Sequence, residues 1–289
     1  MQTTTGVFTI HKYQIEFDNY DEPIYLFPFG DIHRSSPSCD VDRWLEFLNW
    51  ASGKERSYYL GMGDYDDLAS TSERAILNNK SLHDSTLRTL DKVYKEYTDR
   101  FYKEIEFMGD RLIGLIEGNH FQYLQSGMTT TQYLADKMGT KYLGVSSFVR
   151  LVLVNKRRPT STQKIDIWAH HGKGASRLVG GSLNKVEHML TAANADIYLM
   201  GHDHKKTVGY VPTLELKESK GSIKLTAKKK LLARTGSFLR GYTPNEVSYV
   251  ADMALNPTDL GVIKIELTPR RIYNPDKTEE YKIDIHTSI

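Results

Sequence analysis

The chain has 289 residues, of which 39% are hydrophobic and 26% are charged, and its formal net charge is only +2. A chain of this length can bury the core of one large domain, and the small net charge argues against a strongly basic surface for nucleic acid. Because Cys39 is the single cysteine, an intrachain disulfide is excluded and a reducing compartment is expected.

The N-terminal residues predict neither a signal peptide nor a membrane anchor. No basic segment followed by an apolar core occurs near Met1, and no apolar run approaches membrane-spanning length. No linker rich in proline or serine divides the chain. We therefore expect one cytoplasmic domain over residues 1–289 that does not bind membranes. Its oligomeric state is left open.

Five short apolar runs, each followed by glycine or a histidine pair, predict buried β-strands. In chain order they span residues 24–29, 57–60, 112–116, 165–169 and 197–200. Open α/β sheets usually bind ligands at the carboxyl ends of their strands. Polar residues directly after these runs are therefore the first candidates for a functional site.

Helical patterns alternate with the predicted strands. Asp40 is placed to cap a helix whose apolar residues, Val41, Trp44, Leu45 and Leu48, recur at three- and four-residue spacing. A longer stripe follows between the second and third strands and consists of Leu87, Leu90, Tyr94, Tyr97 and Phe101. We expect it to pack on a sheet. The turn that precedes it is a candidate to overhang the site.

After His204 the pattern changes to alternating, lysine-rich segments. They span residues 207–211, 214–217, 223–226, 231–235, 262–267 and 281–285. Such alternation is typical of antiparallel strands with one buried face. We expect the strands of residues 205–289 to complete a second sheet packed on the first rather than to form a separate domain.

Five polar clusters follow the five predicted strands. They are Asp31 with His33, Asp64 with Asp67, Asn119 with His120, His170 with His171, and His202 with His204. Six of the ten histidines of the chain lie in these clusters. Imidazole and carboxylate ligands together suit Mn, Fe or Zn, and a carboxylate can bridge two ions. Asp64 is the natural candidate for such a bridge.

The order DxH, GDxxD, GNH, H, GHxH from Asp31 to His204 resembles the calcineurin-like metallophosphoesterase superfamily in its bacterial and phage-type members. The resemblance implies an α/β fold, a four-layer αββα sandwich of two mixed β-sheets flanked by helices. It also implies two divalent metal ions, with Mn²⁺ as the first choice and Fe, Zn, Co or Ni as alternatives. The motifs span residues 31–204, which lie in roughly the first two thirds of the chain.

The resemblance also assigns roles to the matching residues. One ion is implied at Asp31, His33 and His204, and the other at Asn119, His202 and one residue of the His170–His171 pair, with Asp64 between the ions. His120 matches the histidine that faces the substrate as a general acid, and Asp67 matches the acid that orients it.

The histidine pair leaves two alternatives. Successive strand residues point to opposite faces, so one of the two side chains is expected to reach the metal. Some family members place the ligand directly before glycine, which favours His171 because Gly172 follows it. Others have a His-His-Pro pattern in which the first histidine binds, which favours His170. We favour His171.

The implied reaction is hydrolysis of a phosphomonoester or phosphodiester by a hydroxide shared between the two ions. Leu68 and Phe121 replace the arginine and the acidic residue of the protein Ser/Thr phosphatase branch, which is therefore disfavoured. The expected partner is a phosphoester, including nucleotides and nucleic acid. A metal-dependent nuclease of the same superfamily is the alternative, and a non-catalytic scaffold is a weaker one because every ligand position is filled.

Two basic residues are candidate substrate contacts. Lys173 and Arg177 lie in a glycine-rich segment directly after the histidine pair, where they are placed to meet phosphate or a leaving group. The alternative is that this segment is an ordinary solvated loop. The sequence does not separate the two.

Overall fold

The computed structural model describes residues 9–69, 77, 82–174, 176–219, 222–244, 249–252, 254, 256–274 and 279–289. The strands are β1 (Thr9–Phe17), β2 (Ile24–Phe29), β3 (Ser57–Gly61), β4 (Leu112–Leu115), β5 (Ser146–Asn155), β6 (Arg158–His170), β7 (Ile197–Met200), β8 (Lys206–Ser219), β9 (Ser222–Ser237), β10 (Gly261–Val262), β11 (Lys264–Tyr273) and β12 (Glu279–Ser288). The α-helices are α1 (Val41–Ser52), α2 (Asp84–Ile105), α3 (Thr130–Met138), α4 (Val179–Glu187) and α5 (Tyr249–Asp252), and short 3-10 helices span Glu106–Arg111 and His188–Thr191.

The strands form two mixed sheets. The larger has the order β1-β5-β6-β7-β9-β10, with β8 also paired to β9. The smaller has the order β12-β11-β2-β3-β4. Within the smaller sheet β2, β3 and β4 are parallel, and in the larger sheet β6, β7 and β9 are parallel. Parallel strands bring their carboxyl ends to one edge of each sheet.

Alternation along the strands divides the core into three layers. Leu26 of β2 packs between the two sheets with Leu151 and Ile167 of the larger sheet, whereas the next residue, Phe27, faces the helices. On that outer side Trp44 of α1 packs with aromatic and aliphatic residues of α2 and α3. On the other outer side Val186 of α4 packs against the larger sheet. The predicted four-layer αββα fold is confirmed.

The helices begin where local chemistry favours it. The side chain of Asp40 accepts a hydrogen bond from the Arg43 amide at 3.1 Å, which caps α1 as the sequence predicts. Thr129 and Gln132 form a reciprocal capping box at the start of α3. Leu45 of the predicted apolar stripe of α1 is exposed rather than buried. The turn before α2 lies mostly outside the described residues.

The C-terminal strands do not all join one sheet, contrary to the expectation. Strands β8, β9 and β10 extend the larger sheet, but β11 and β12 return to the smaller one, where β11 pairs antiparallel with β2. The apolar strand residues of β11 alternate, and Ile265 and Leu267 are buried between the sheets. This buried face packs against the larger sheet and stabilises β11 in its position beside β2.

The outer part of the β8–β9 hairpin also departs from the expectation of one buried face. Its aliphatic side chains remain exposed, namely Leu214, Leu216, Ile223 and Leu225. Only residues 231–234 of β9 pair with β7, so the hairpin extends past its neighbouring strand. Among the described residues, no helix combines the length and apolarity needed to cross a lipid bilayer.

Candidate metal centre

The candidate ligands lie where five strands end. Asp31 and His33 follow β2, Asp64 follows β3, and Asn119 follows β4, all in the smaller sheet. His170 ends β6 and His171 follows it, and His202 and His204 follow β7; both strands belong to the larger sheet. Because β2–β4 are parallel, as are β6 and β7, these loops meet at one end of the sandwich.

The loops are joined to each other by backbone hydrogen bonds. The amide of Asp31 donates to the Gly63 carbonyl at 2.9 Å, and that of His33 donates to the Asp64 carbonyl at 3.1 Å. From the other sheet, Phe238 donates its amide to the Asp31 carbonyl at 3.0 Å. Loops from both sheets therefore hold the candidate ligands in one hydrogen-bonded framework.

Left-handed backbone conformations are concentrated in this site. Among the described residues eight non-glycine residues have a positive φ, and five of them are candidate ligands: Asp31 (49°), His33 (50°), Asp64 (51°), His202 (73°) and His204 (57°). Such conformations are uncommon for residues with a side chain and cluster at functional sites. The backbone geometry therefore identifies these residues as candidates for a functional site, independently of the chemistry of their side chains.

One group of ligand atoms consists of Asp31, His33 and His204. The Nε2 atoms of the two histidines lie 3.2 Å apart, and His204 Nε2 lies 3.7 Å from Asp31 Oδ1. Asp31 is fully buried, and its Oδ1 has no hydrogen-bond partner among the described residues. Three potential ligand atoms therefore converge on one point.

A second group consists of Asp64, His171 and His202, with Asn119 among them. The Asn119 Oδ1 atom lies 2.9 Å from His171 Nε2 and 2.8 Å from His202 Nδ1. His171 Nε2 also lies 3.2 Å from Asp64 Oδ2. Asn119, His202 and His171 of the pair are the residues that the resemblance implies for the second ion, and Asp64 is the one that it implies between the ions.

The structure places the two histidines of the pair differently. His171 Nδ1 lies 2.8 Å from the Met62 carbonyl, which holds its proton on Nδ1 and leaves Nε2 toward the second group. Metal-bound histidines commonly donate their other ring N–H to such a carbonyl. His170 Nδ1 instead accepts a hydrogen bond from the Gly172 amide at 2.7 Å and joins neither group.

Asp64 belongs to the second group and also lies close to the first. Its Oδ2 atom is 3.9 Å from His33 Nε2 of the first group and 3.2 Å from His171 Nε2 of the second. Its Oδ1 atom accepts a hydrogen bond from the His120 amide at 2.8 Å. One oxygen of this carboxylate is therefore held by the backbone, and the other faces both groups.

His120 and Asp67 form a hydrogen-bonded pair beside the first group. His120 Nδ1 lies 2.8 Å from Asp67 Oδ1, and His33 Nδ1 lies 3.2 Å from Asp67 Oδ2. Although burial opposes ionisation, the hydrogen bonds from the two histidines lower the pKa of Asp67 to about 2. His33, Asp67 and His120 also form a possible ligand group by distance, but both carboxylate oxygens already accept these bonds.

Two glycines permit the close approach of the loops. A Cβ atom on Gly118 would lie 2.0 Å from Asp64 Oδ1, and one on Gly63, whose φ is +98°, would lie 2.6 Å from His171 Nδ1. Any side chain at either position would collide with a candidate ligand. The glycines of the GDxxD and GNH motifs are therefore required by packing.

The donor set fits two divalent cations. Burial raises the pKa of Asp31 to about 7, and a cation would compensate the cost of the buried carboxylate. Burial also lowers the pKa of His202 to about 4, so its imidazole is neutral near pH 7. Burial opposes the charge on His171 as well, but Asp64 and Asp31 raise its pKa to about 9, so an ion bound there would displace a proton from this ring. A two-ion site needs paired ring nitrogens, a carboxylate oxygen without a hydrogen-bond partner, and a carboxylate close to both ions. The two ligand groups offer all three, and Asp64 supplies the last.

The candidate substrate contacts lie on an exposed loop at the rim. Lys173 and Arg177 are both exposed, on the segment between His171 and α4. Lys205, which follows His204, donates to the Ser176 carbonyl, and Lys185 donates to the Gly174 carbonyl at 2.9 Å. These hydrogen bonds hold the loop beside the site. The role of Lys173 and Arg177 as substrate contacts stays a prediction.

Sequence reasoning did not assign two polar residues that support the site. The Oδ1 atom of Asp66 accepts hydrogen bonds from the amides of Ser35 and Asp67, both at 2.9 Å, and so joins the first two motif loops. Arg234 is fully buried beneath the loop of His202 and His204. The motif spacing gave no signal for either residue.

Comparison with known proteins adds little. No protein-family model matches the sequence, and no curated protein matches it. Among solved structures, Vps29 of Chaetomium thermophilum is 12% identical with a TM-score of 0.36, covering 91% of this chain and 97% of that chain. The same protein in complex with the RaPID-derived cyclic peptide RT-D3 gives 11% identity and a TM-score of 0.26, covering 92% and 96%. At these TM-scores neither match supports an argument.

Proposed function

We propose that the chain is a phosphoesterase of the calcineurin-like metallophosphoesterase superfamily that uses two divalent ions, with Mn²⁺ as the first choice. Asp31, His33 and His204 bind one ion, and Asn119, His171 and His202 bind the other. Asp64 contributes to both. The observation that carries this proposal is the position of Asp64 Oδ2, which lies 3.9 Å from His33 Nε2 of the first group and 3.2 Å from His171 Nε2 of the second, beside the His120–Asp67 pair.

The bound ions supply charge neutralisation for the phosphoryl oxygens and activation of a water molecule. The chain itself contributes His120 as the general acid. Asp67 accepts the hydrogen bond from His120 Nδ1, so that Nε2 is free to donate a proton to the departing oxygen of the ester. The substrate class is a small phosphomonoester or phosphodiester, including nucleotides.

The test is hydrolysis by the metal-reconstituted full chain. We expect turnover of at least one substrate among p-nitrophenyl phosphate, bis-p-nitrophenyl phosphate, cyclic nucleotides, and single- and double-stranded DNA. Asp64→Asn is the control, because it removes the carboxylate shared by both ligand groups. If the wild-type protein hydrolyses none of these substrates faster than Asp64→Asn does, the proposal is refuted. Cleavage of DNA alone would identify the nuclease alternative.

We also propose that Lys173 and Arg177 bind the substrate phosphate or leaving group. Their loop accepts a hydrogen bond from Lys205, the residue after His204, and this contact beside the candidate ligands supports the role. Lys173→Ala and Arg177→Ala should raise KM for the best substrate while leaving the bound-metal content unchanged. An unchanged KM in both variants would assign the segment to an ordinary solvated loop.

A further inference from the structure

Arg234 is a buried cation that lies directly beneath the loop carrying His202 and His204. It belongs to β9, where it pairs with Met200 of β7 on one side and Thr207 of β8 on the other. None of its side chain is exposed. Its position places the guanidinium between the end of β7 and the start of α4.

The guanidinium donates to two backbone carbonyls. Arg234 Nη1 donates to the Gly201 carbonyl at 2.8 Å, and Nε donates to the Ser182 carbonyl at 3.0 Å. Its Nη2 lies 3.5 Å from Asp203 Oδ2. Only arginine offers several donors in a rigid planar fork, so lysine cannot reproduce these contacts.

Asp203 connects this arginine to the rest of the loop. It lies between the two candidate histidine ligands, and it is buried. Its Oδ1 accepts a hydrogen bond from the Lys205 amide at 3.3 Å, and its Oδ2 accepts one from the Ser182 hydroxyl. The histidines of the GHxH motif thus serve the candidate ion site, while the residue between them faces Arg234.

The peptide group between Gly201 and His202 connects Arg234 to the candidate metal site through hydrogen bonds at both of its ends. Its carbonyl accepts from Arg234 Nη1, and its N–H donates to Asp31 Oδ2 at 2.8 Å. Because a peptide group is planar, holding both ends fixes its orientation. His202 follows with a φ of 73°, a conformation that a non-glycine residue adopts only where its surroundings impose it.

We propose that Arg234 is a positioning residue, which holds the Gly201–Lys205 loop so that His202 and His204 bind their ions. The proposal rests on the proposed two-ion site. A buried ion pair contributes little to stability compared with apolar packing, so stability alone does not account for an arginine at this position. Residues that orient metal ligands typically change metal affinity about 10- to 100-fold when they are replaced.

The test compares Arg234→Met with Lys230→Met in the full chain. Lys230 is a matched control because it is also a buried cation of β9, but it contacts Asn194 and Glu215 rather than the histidine loop. Calorimetric titration with Mn²⁺ should show about 10- to 100-fold weaker binding in Arg234→Met and wild-type affinity in Lys230→Met. Thermal unfolding without added metal measures the loss of stability in each variant separately.

Arg234→Lys supplies a second readout if Arg234→Met does not fold. With Co²⁺ bound, its visible absorption spectrum should differ from that of the wild type, whereas the spectrum of Lys230→Met should match the wild type. Wild-type affinity and spectrum in the Arg234 variants would refute the positioning role alone. Wild-type protein that binds no ion would refute the two-ion site and the positioning role together.

Discussion

His120 Nδ1 lies 2.8 Å from Asp67 Oδ1, and the other oxygen of the same carboxylate lies 3.2 Å from His33 Nδ1. Asp67 therefore connects the proposed acid to a proposed ligand of the first ion. The rings of His33 and His120 are 4.7 Å apart between centroids. A displacement of Asp67 is expected to affect both histidines, whereas removal of the His120 side chain leaves the ligand in place.

His120→Ala should keep both metal ions and lose about 10²- to 10⁴-fold in kcat on esters with poor leaving groups, because general acid catalysis is removed. On p-nitrophenyl esters the loss should be smaller, since that leaving group needs no proton. Elemental analysis and kcat on both ester types check the prediction. If the variant loses an ion, His120 is a ligand and not the acid.

The histidine pair can be separated by single substitutions. His171→Ala should lose about one bound ion per chain, because His171 Nε2 faces Asp64 and Asn119. His170→Ala should keep both ions, since its ring accepts a hydrogen bond from the Gly172 amide and joins neither ligand group. Equilibrium dialysis followed by elemental analysis distinguishes the two variants, and the reverse pattern would make His170 the ligand.

Gly118→Ala should weaken metal binding and destabilise the fold by about 1–3 kcal/mol, the usual cost of overpacking. The added Cβ would lie 2.0 Å from Asp64 Oδ1 and 2.2 Å from the Asp64 amide nitrogen, so the shared carboxylate must move. Chemical denaturation and Mn²⁺ titration measure the two effects.

Gly180→Ala is the matched control for that substitution. A Cβ atom on Gly180 in helix α4 meets nothing within 4 Å, and alanine favours a helix over glycine by about 0.5–1 kcal/mol. This variant should be as stable as the wild type or more stable, with unchanged metal affinity. Equal behaviour of the two alanine variants would contradict the packing argument at Gly118.

Cys39 should react slowly with thiol reagents in the folded protein. Its side chain is 6% exposed, and burial raises the pKa of the thiol to about 12, so the reactive thiolate is scarce near pH 8. Titration with Ellman's reagent should show almost no reaction in buffer and one thiol per chain in denaturant. Rapid reaction of the native protein would place Cys39 at the surface.

Local patterns predicted much of the fold. The five apolar runs form β2, β3, β4, β6 and β7, and Asp40 caps α1, because strand burial and helix capping depend on neighbouring residues. The distribution of the C-terminal strands between the two sheets could not be predicted from the same patterns. Alternation indicates that β11 and β12 are strands, but it contains no information on which distant strand they pair with.

The sequence by itself determined the chemistry of the site: the imidazole, carboxylate and amide groups, their order, and the glycines between them. Tertiary structure alone decided which atoms meet. His171 faces the second group because the Met62 carbonyl of the other sheet holds its Nδ1, and Arg234 lies under the histidine loop because β9 pairs with β7. Both relations join residues far apart in the chain, and only the packing of the two sheets brings them together.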